Sequence, residues 1–339
     1  MPDCPRVSVF MPVYNAGSYL REAIESILNQ DFKDLEFVIV NDGSKDESES
    51  IILSYSDPRI RYIKNPQNLG LIASLNIGME TCLGEYIVRM DQDDISLPNR
   101  ISKQVKFMDE NPDYGLIGSW FEDFGEHIQS QFVRYSSDDT HIRIRHLYQT
   151  HISHPTAVMR TSIIREHQVR FDPEFEHGED YNCWVTFSRY SKLSNYPEVL
   201  VRKRDHPSNI TNKYAQTMQD TCTRVKHKQF GWIGAPITHL EADLYTRFAD
   251  PEWGFSLEEM GILLPMLNKL STANDQSKFI DPKSLRSYLA EKWFNLCYQN
   301  TKLRNEGWNW FSKAIFHDEF KPAFIQKTRM KLRQTGIPA

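Results

Sequence analysis

The stretch Tyr86-Ile-Val-Arg-Met-Asp-Gln-Asp-Asp94 runs from a short apolar strand straight into three carboxylates, Asp91, Asp93 and Asp94. A strand that ends abruptly in acids sets them at the carboxyl edge of a sheet, where open α/β folds keep their ligands. Carboxylates held this close repel one another unless something cationic sits among them. Cation binding is therefore the chemistry these residues offer. A second acidic pair, Glu179-Asp180, closes an acid-rich loop that begins at Phe171 and opens a helical pattern. Both have plainer readings. A bare Asp-x-Asp is commonly a solvated turn, and acids at a helix start are favoured by the macrodipole. The surroundings have to decide.

The elements that would position these acids come in a regular order. Val7-Ser-Val-Phe-Met11 is a strand by residue type, and Pro12 to Gly17 forms a loop. Leu20, Ala23, Ile24, Ile27 and Leu28 then recur at helical spacing. Leu35 to Val40 is almost continuously apolar, as in a strand covered on both faces. It ends at Asn41-Asp42-Gly43-Ser44, where Ser44 and Glu47 predict a capping box ahead of a helix facing inward through Ile51, Ile52 and Tyr55. Arg59 to Ile63 is a third strand, Asn65 to Gly70 is turn chemistry, and Leu71, Leu75 and Met79 stripe the helix before the acidic strand. Such alternation implies parallel pairing with right-handed crossovers. It predicts that Tyr14–Asn15, Asp42 and Asp91–Asp94 meet at one sheet edge.

Further on, Ile101, Val105 and Met108 mark a helix, and Tyr114 to Gly118 a strand. His154-Pro-Thr-Ala-Val-Met159 reads as an edge strand, followed by a helix over Ser162–Gln168. The helix opened by Glu179-Asp180 carries Trp184, Phe187 and Tyr190, and Val199 to His206 reads as a strand ending in histidine. From about Thr211 helical stripes take over and tryptophans gather at Trp293, Trp308 and Trp310. The division expected is residues 1–210 and a mainly helical region, 211–339.

Composition narrows the class. A chain of 339 residues with a formal net charge of -5 is not a general nucleic-acid binder. Its five cysteines are scattered and never in Cys-x-x-Cys spacing, which fits a reducing compartment and no zinc site. The apolar run from Val7 to Val13 lacks a basic start and is broken by Pro12, unlike a signal peptide. Nothing approaches the roughly 20 apolar residues of a membrane span. A cytoplasmic chain is expected.

Taken together, Pro12-Val-Tyr-Asn15, Val40-Asn-Asp-Gly-Ser44, Asn68-Leu-Gly70 with Asn76-Ile-Gly78, Asp91-Gln-Asp-Asp94, Glu179-Asp180 and His206 closely resemble the motifs of the inverting nucleotide-sugar glycosyltransferases of family 2. The resemblance covers about the first 210 positions and implies an α/β fold of GT-A (Rossmann-like) type, a mostly parallel central sheet flanked by helices. Pro12, Tyr14 and Asn15 would line the nucleotide pocket. Asp42 would accept a hydrogen bond from a base N–H, which uracil offers. Asn68 and Asn76 would belong to the nucleotide site, and Gly70 and Gly78 would let backbone approach the nucleotide, helix packing being the plainer role of the glycines. Asp91 would hold the ribose side, with Arg89 and Arg100 near the acids.

Asp93 would bind a divalent cation bridging the donor's two phosphates, and His206 would complete its sphere, favouring Mn²⁺ over Mg²⁺. Asp180 is implied as general base and Glu179 as a contact to sugar hydroxyls. After His206 the chain reads Pro-Ser-Asn-Ile-Thr211, with Ser208, Asn209 and Thr211 but no basic residue, so a diphosphate clamp would have to come from Arg202 or Arg204. The expected activity is transfer from a UDP-sugar to a saccharide or lipid-linked saccharide in surface polysaccharide or lipopolysaccharide assembly, at the cytoplasmic face of the inner membrane.

Other classes fit less well. A sugar-phosphate nucleotidyltransferase would carry a Gly- and Lys-rich loop after the first strand, and none precedes Arg21. A catalytically inactive nucleotide-sugar or glycan-binding module has no use for Asp93 and Asp180 together. A carboxylate-pair glycosidase needs no nucleotide pocket. The segment Lys321 to Ala339 holds five Lys/Arg and no acid, which suggests docking on an anionic membrane, the alternative being a helical subdomain with a basic end. The helical region is also a candidate homodimer surface.

Overall fold

The structure, a computed structural model, describes residues 4–125, 128–207, 209, 214–249, 254–303 and 306–334. Ser208 and Thr211 lie outside the described residues. The chain divides into two compact units, Met1–Ile142 with Gln149–Thr221, and Arg143–Tyr148 with Cys222–Ala339.

In the first unit β1 (Val7–Val13), α1 (Tyr19–Leu28), β2 (Leu35–Asn41), α2 (Ser48–Leu53), β3 (Ile60–Lys64), α3 (Leu71–Thr81) and β4 (Tyr86–Arg89) alternate. The strands lie in the order β3-β2-β1-β4, every pair parallel, as the alternation predicts. All residues of β1, β2 and β4 are buried, which is why these strands are apolar without alternation.

β1 extends through Pro12, expected in the loop. Its pairing with β4 stops at Phe10, while β2 continues opposite Pro12 and Val13. The Phe10 carbonyl faces β4 and that of Val13 faces β2. By the alternation of a strand, the missing N–H of Pro12 points where β4 has already left the ladder, so no bond is lost.

Beyond β4 the pairing becomes mixed. The elements are β5 (Ile95–Ser96), α4 (Arg100–Glu110), β6 (Tyr114–Gly125), β7 (Gln131–Val133), α5 (Asp139–His146), β8 (Val158–Arg160), α6 (Thr161–His167), α7 (Glu179–Phe187) and β9 (Lys192–Asp205). The nine-stranded sheet continues β4-β8-β6-β9-β5, with β7 paired to β6. β8 is antiparallel to β4 and β6, and β9 is parallel to β6. The expected edge strand His154–Met159 is corrected twice. His154–Thr156 is a 3-10 turn, since Pro155 has no N–H to give a ladder, and β8 lies inside the sheet with Val158 and Met159 fully buried.

A further correction concerns α2. It starts at Ser48 without a side-chain cap, so the Ser44–Glu47 capping box does not form. Ser44 N–H is taken by the Asn41 side chain and its Oγ accepts from Asn15 N–H, an Asx turn outcompeting the cap. Tyr55 lies past the end of that helix.

In the second unit α8 (Ala215–Ile233) brings the chain across at Thr221–Cys222, and α9 (His239–Ala249), α10 (Leu257–Ser277), α11 (Pro282–Gln299), α12 (Gly307–Ser312) and α13 (Phe324–Gln334) follow. Ser256 and Glu259 form the capping box that starts α10, and Asp281 with Pro282 starts α11. Trp293 is fully buried in this core, its Nε1–H donating to the Trp310 carbonyl at 3.1 Å. Ile144, Leu147 and Tyr148 join the same core. Among the described residues no helix is long and apolar enough to cross a membrane.

Candidate active site

The three loops converge. Tyr14 N–H donates to Gln92 Oε1 at 2.8 Å, and Gln92 Nε2 returns a bond to the Tyr14 carbonyl. Asn15 N–H reaches Ser44 Oγ at 3.1 Å, while Asn15 Oδ1 accepts from Lys45 N–H at 2.8 Å. Asn15 sits at φ 48, a left-handed conformation that asparagine tolerates better than most residues. Pro12 is buried at the strand end, and Tyr14 stays 42% exposed beside it, free to meet a ligand.

Asp42 is already engaged within the fold. Its carboxylate accepts from Asn65 Nδ2 at 2.7 Å, Leu69 N–H at 2.9 Å and Gly70 N–H at 2.9 Å, so it fixes the loop 65–70. Gly43 beside it is required: a Cβ there would stand 2.7 Å from the backbone of Gln67. Gly70, at φ 93, also accepts no ordinary side chain, and its N–H is shared with Asn68 Oδ1. Gly78 follows the plainer reading, since a Cβ would lie 2.4 Å from the Phe10 ring. Asn76 also acts within the fold, exchanging two hydrogen bonds with the backbone of Phe171.

The acids after β4 lie among cations. Arg89, fully buried, donates from Nη2 to Asp91 Oδ1 at 2.5 Å and from Nε to His154 Nε2 at 3.1 Å. Burial pushes the Asp91 carboxyl up, but the surrounding positive groups, Arg89 foremost, together more than offset this, and the pKa of Asp91 ends below the ordinary value. Burial and then Arg89 push His154 down to about 3. Arginine can only donate, so His154 is a neutral imidazole with its proton on Nδ1.

Arg100, also fully buried, donates to the Arg89 carbonyl and to Gln104. Burial pushes it down to about 9, still a cation at neutral pH. Asp94 is buried and accepts from Arg204 N–H, and burial, then Asp93 and Asp91, hold its carboxyl well above the usual range. Arg204 donates from Nε to the Asp93 carbonyl, pairs with Glu22 and stacks on Tyr19, while Arg202 pairs with Glu122. Both arginines are already engaged.

On the other side, Glu179 and Asp180 form the first turn of α7. Burial lifts Glu179 to about 7, helped by Asp180, and lifts Asp180 to about 6 against the bond its Oδ1 accepts from Tyr181 N–H. Both carboxylates feel Asp91 and Arg89, which puts the helix start within electrostatic reach of the acidic loop. His154 packs its ring 5.8 Å from Trp184, one turn along α7 from Asp180. Sequence reasoning missed His154 and Gln92. Only their tertiary partners reveal them.

Asp93 Oδ2 and His206 Nε2 are 2.9 Å apart, with Tyr19 against the imidazole. Two ligands about 2.1 Å from an octahedral cation, in adjacent positions, stand about 3 Å apart. The pair therefore fits one small divalent ion. Among the described residues no group of three or more His, Cys, Asp or Glu is arranged to hold a metal. Two protein ligands leave the other positions to phosphates and water, the usual habit of such ions.

A sheet of this order with acids at its carboxyl edge and a helical C-terminal region defines a GT-A-type nucleotide-sugar fold. Residues 8–167 match the family described as Glycosyl transferase family 2. An uncharacterized glycosyltransferase of Haemophilus influenzae is 37% identical over 239 residues, 67% of this chain and 74% of that protein. S. aureus TarS 1-349 in complex with UDP-GlcNAc shares the fold at TM-score 0.56 and 16% identity, over 92% of this chain and 90% of that one. The mannosyltransferase PcManGT from Pyrobaculum calidifontis, in complex with GDP-Man and Mn²⁺, does so at TM-score 0.54 and 15% identity, over 96% and 87%. The chain belongs to glycosyl transferase family 2, and its activity is glycosyl transfer.

Proposed function

We propose that the chain moves a sugar from a UDP-sugar to a saccharide or lipid-linked saccharide, inverting the anomeric carbon, in the assembly of a bacterial surface polysaccharide or lipopolysaccharide. The observation that carries this reading is the pair of differently tuned acid groups: Asp91 held below its ordinary pKa by Arg89, and Asp180 lifted to about 6 by burial. Asp180 takes the proton of the acceptor hydroxyl as its oxygen bonds to the anomeric carbon. The bond from that carbon to the diphosphate breaks, and the nucleoside diphosphate leaves with its electron pair. Glu179 positions sugar hydroxyls.

Pro12, Tyr14 and Asn15 line the nucleotide pocket, and Asp42 serves it through the loop it holds, with Asn68 and Gly70 as that loop's turn. Asp91 meets the ribose, and Arg100 supports it from behind through Arg89. Asp93 and His206 would hold the divalent cation, whose role when bound is to neutralise the departing diphosphate as a Lewis acid. The donor and Mn²⁺ named for the two solved relatives support this class of ligand.

Asp180→Asn is the direct test. Transfer from a UDP-sugar in the presence of Mn²⁺ is expected to fall by roughly 10²–10⁴ while UDP binding, measured by calorimetry, stays within a factor of about two. Unchanged turnover would remove Asp180 as the base.

A further inference from the structure

Among the described residues of the second unit, every aromatic side chain before the last helix is at least partly buried: Trp293 and Phe294 fully, and Phe311 is 2% exposed. Helix α13 reverses the pattern. Phe324 is 83% and Ile325 65% exposed, the highest values of any large apolar residue described. The helix is nevertheless anchored. Met330 is 3% exposed and lies against Gly307, where a Cβ would stand 3.2 Å from its Cε. Lys327 and Lys331 place their ammonium groups over the Trp308 ring, 5.6 and 5.0 Å from its centre. At about 100° per residue, Phe324 and Ile325 are roughly 120–140° around the helix from Met330. Both therefore point away from Met330, while Lys331 lies about 20° around the helix from Phe324.

Charge selects what covers them. Lys321, Lys327, Arg329 and Lys331 are all exposed, and no acid occurs between Lys321 and Ala339, in a chain whose formal net charge is -5. The protein as a whole is repelled by an anionic surface, and this segment is the local exception. A bulky ring and a branched side chain projecting together within a ring of cations is the composition of helices that lie in a bilayer interface, where apolar groups enter the acyl boundary and cations meet the headgroups.

We propose that α13 docks on an anionic lipid surface, Phe324 and Ile325 inserting below the headgroups that Lys321, Lys327, Arg329 and Lys331 bind. The inference stands apart from the transfer reading, although a lipid-linked acceptor would be met at such a surface.

The test is co-sedimentation of the full chain with vesicles of phosphatidylcholine alone and of seven parts phosphatidylcholine to three of phosphatidylglycerol. The chain is expected to pellet with the second kind only, and less at high salt. Lys321→Gln with Arg329→Gln is expected to lower the partition coefficient roughly 30-fold, and Phe324→Ser with Ile325→Ser roughly tenfold or more. All four side chains are exposed, so circular dichroism should be unchanged. Absence from the anionic pellet, or equal pelleting of the Phe324→Ser/Ile325→Ser variant, would overturn the proposal. So would light scattering in which that variant turns a dimer into a monomer while vesicles bind neither form, since the face would then seat a second copy.

Discussion

The loop after β4 and the first turn of α7 carry the same residue type in opposite environments. Asp91 lies against a buried guanidinium and is held in its charged form; Glu179 is buried and Asp180 half-buried, neither with an ion-pair partner among the described residues, and both are pushed toward the protonated form. A carboxylate kept charged is suited to hold cationic or hydroxylic ligands, and one lifted toward neutrality is suited to take up a proton. The difference in pKa follows from which side of the site received the arginines. Asp94 shows that position alone does not decide, because in the same loop as Asp91, but with no salt bridge to a guanidinium among the described residues, it too is pushed upward.

This contrast can be broken most sharply with the cation. Asp93→Ala is expected to weaken Mn²⁺-dependent UDP binding by about 100-fold or more in calorimetry, the reverse of the Asp180→Asn outcome. Equal effects of the two variants on binding would mean that the acid groups are not separate in function.

The pH profile is next in size. On the proposed assignment the base acts as a carboxylate, and Asp180 and Glu179 are lifted to about 6 and about 7. kcat/KM is thus expected to rise about tenfold per pH unit up to that window and then level off, and a limb near 4 would mean that burial does not tune the pair.

The smallest effect concerns stability and has opposite signs on the two sides. Asp180 has a folded pKa above its ordinary value, so stability is lost as pH rises from about 4 through about 6. Asp180→Asn should stabilise by about 1–3 kcal/mol at pH 8 and by nothing near pH 4. Asp91 has a lowered pKa, so its contribution is present at neutral pH and lost on acidification. Asp91→Asn should destabilise at pH 8. Denaturant unfolding of both variants at the two pH values checks the signs.

Much of this was legible in the sequence. The parallel half of the sheet announces itself through buried apolar runs, and the acids at β4 and α7 through residue type and order. What stayed hidden depends on partners far along the chain. Asn76 finds Phe171 across 95 positions, and Gly78 is small because of Phe10. The three donors to Asp42 come from a loop that reads only as turn chemistry. His154 gives no sign of Arg89 in its neighbours. The run from Ser119 to Gly125 mixes polar and aromatic residues because β6 is there only partly buried, and its periodicity fades.

The six residues Arg143–Tyr148 have a practical consequence for anyone wishing to dissect the protein. They precede Cys222 by more than seventy positions, yet Ile144, Leu147 and Tyr148 are counted in the helical core. A stop codon near residue 210 or 221 would not release a tidy catalytic fragment. It would leave those three greasy side chains without the helices that shelter them, and the shortened product should clump unless they are replaced by polar residues.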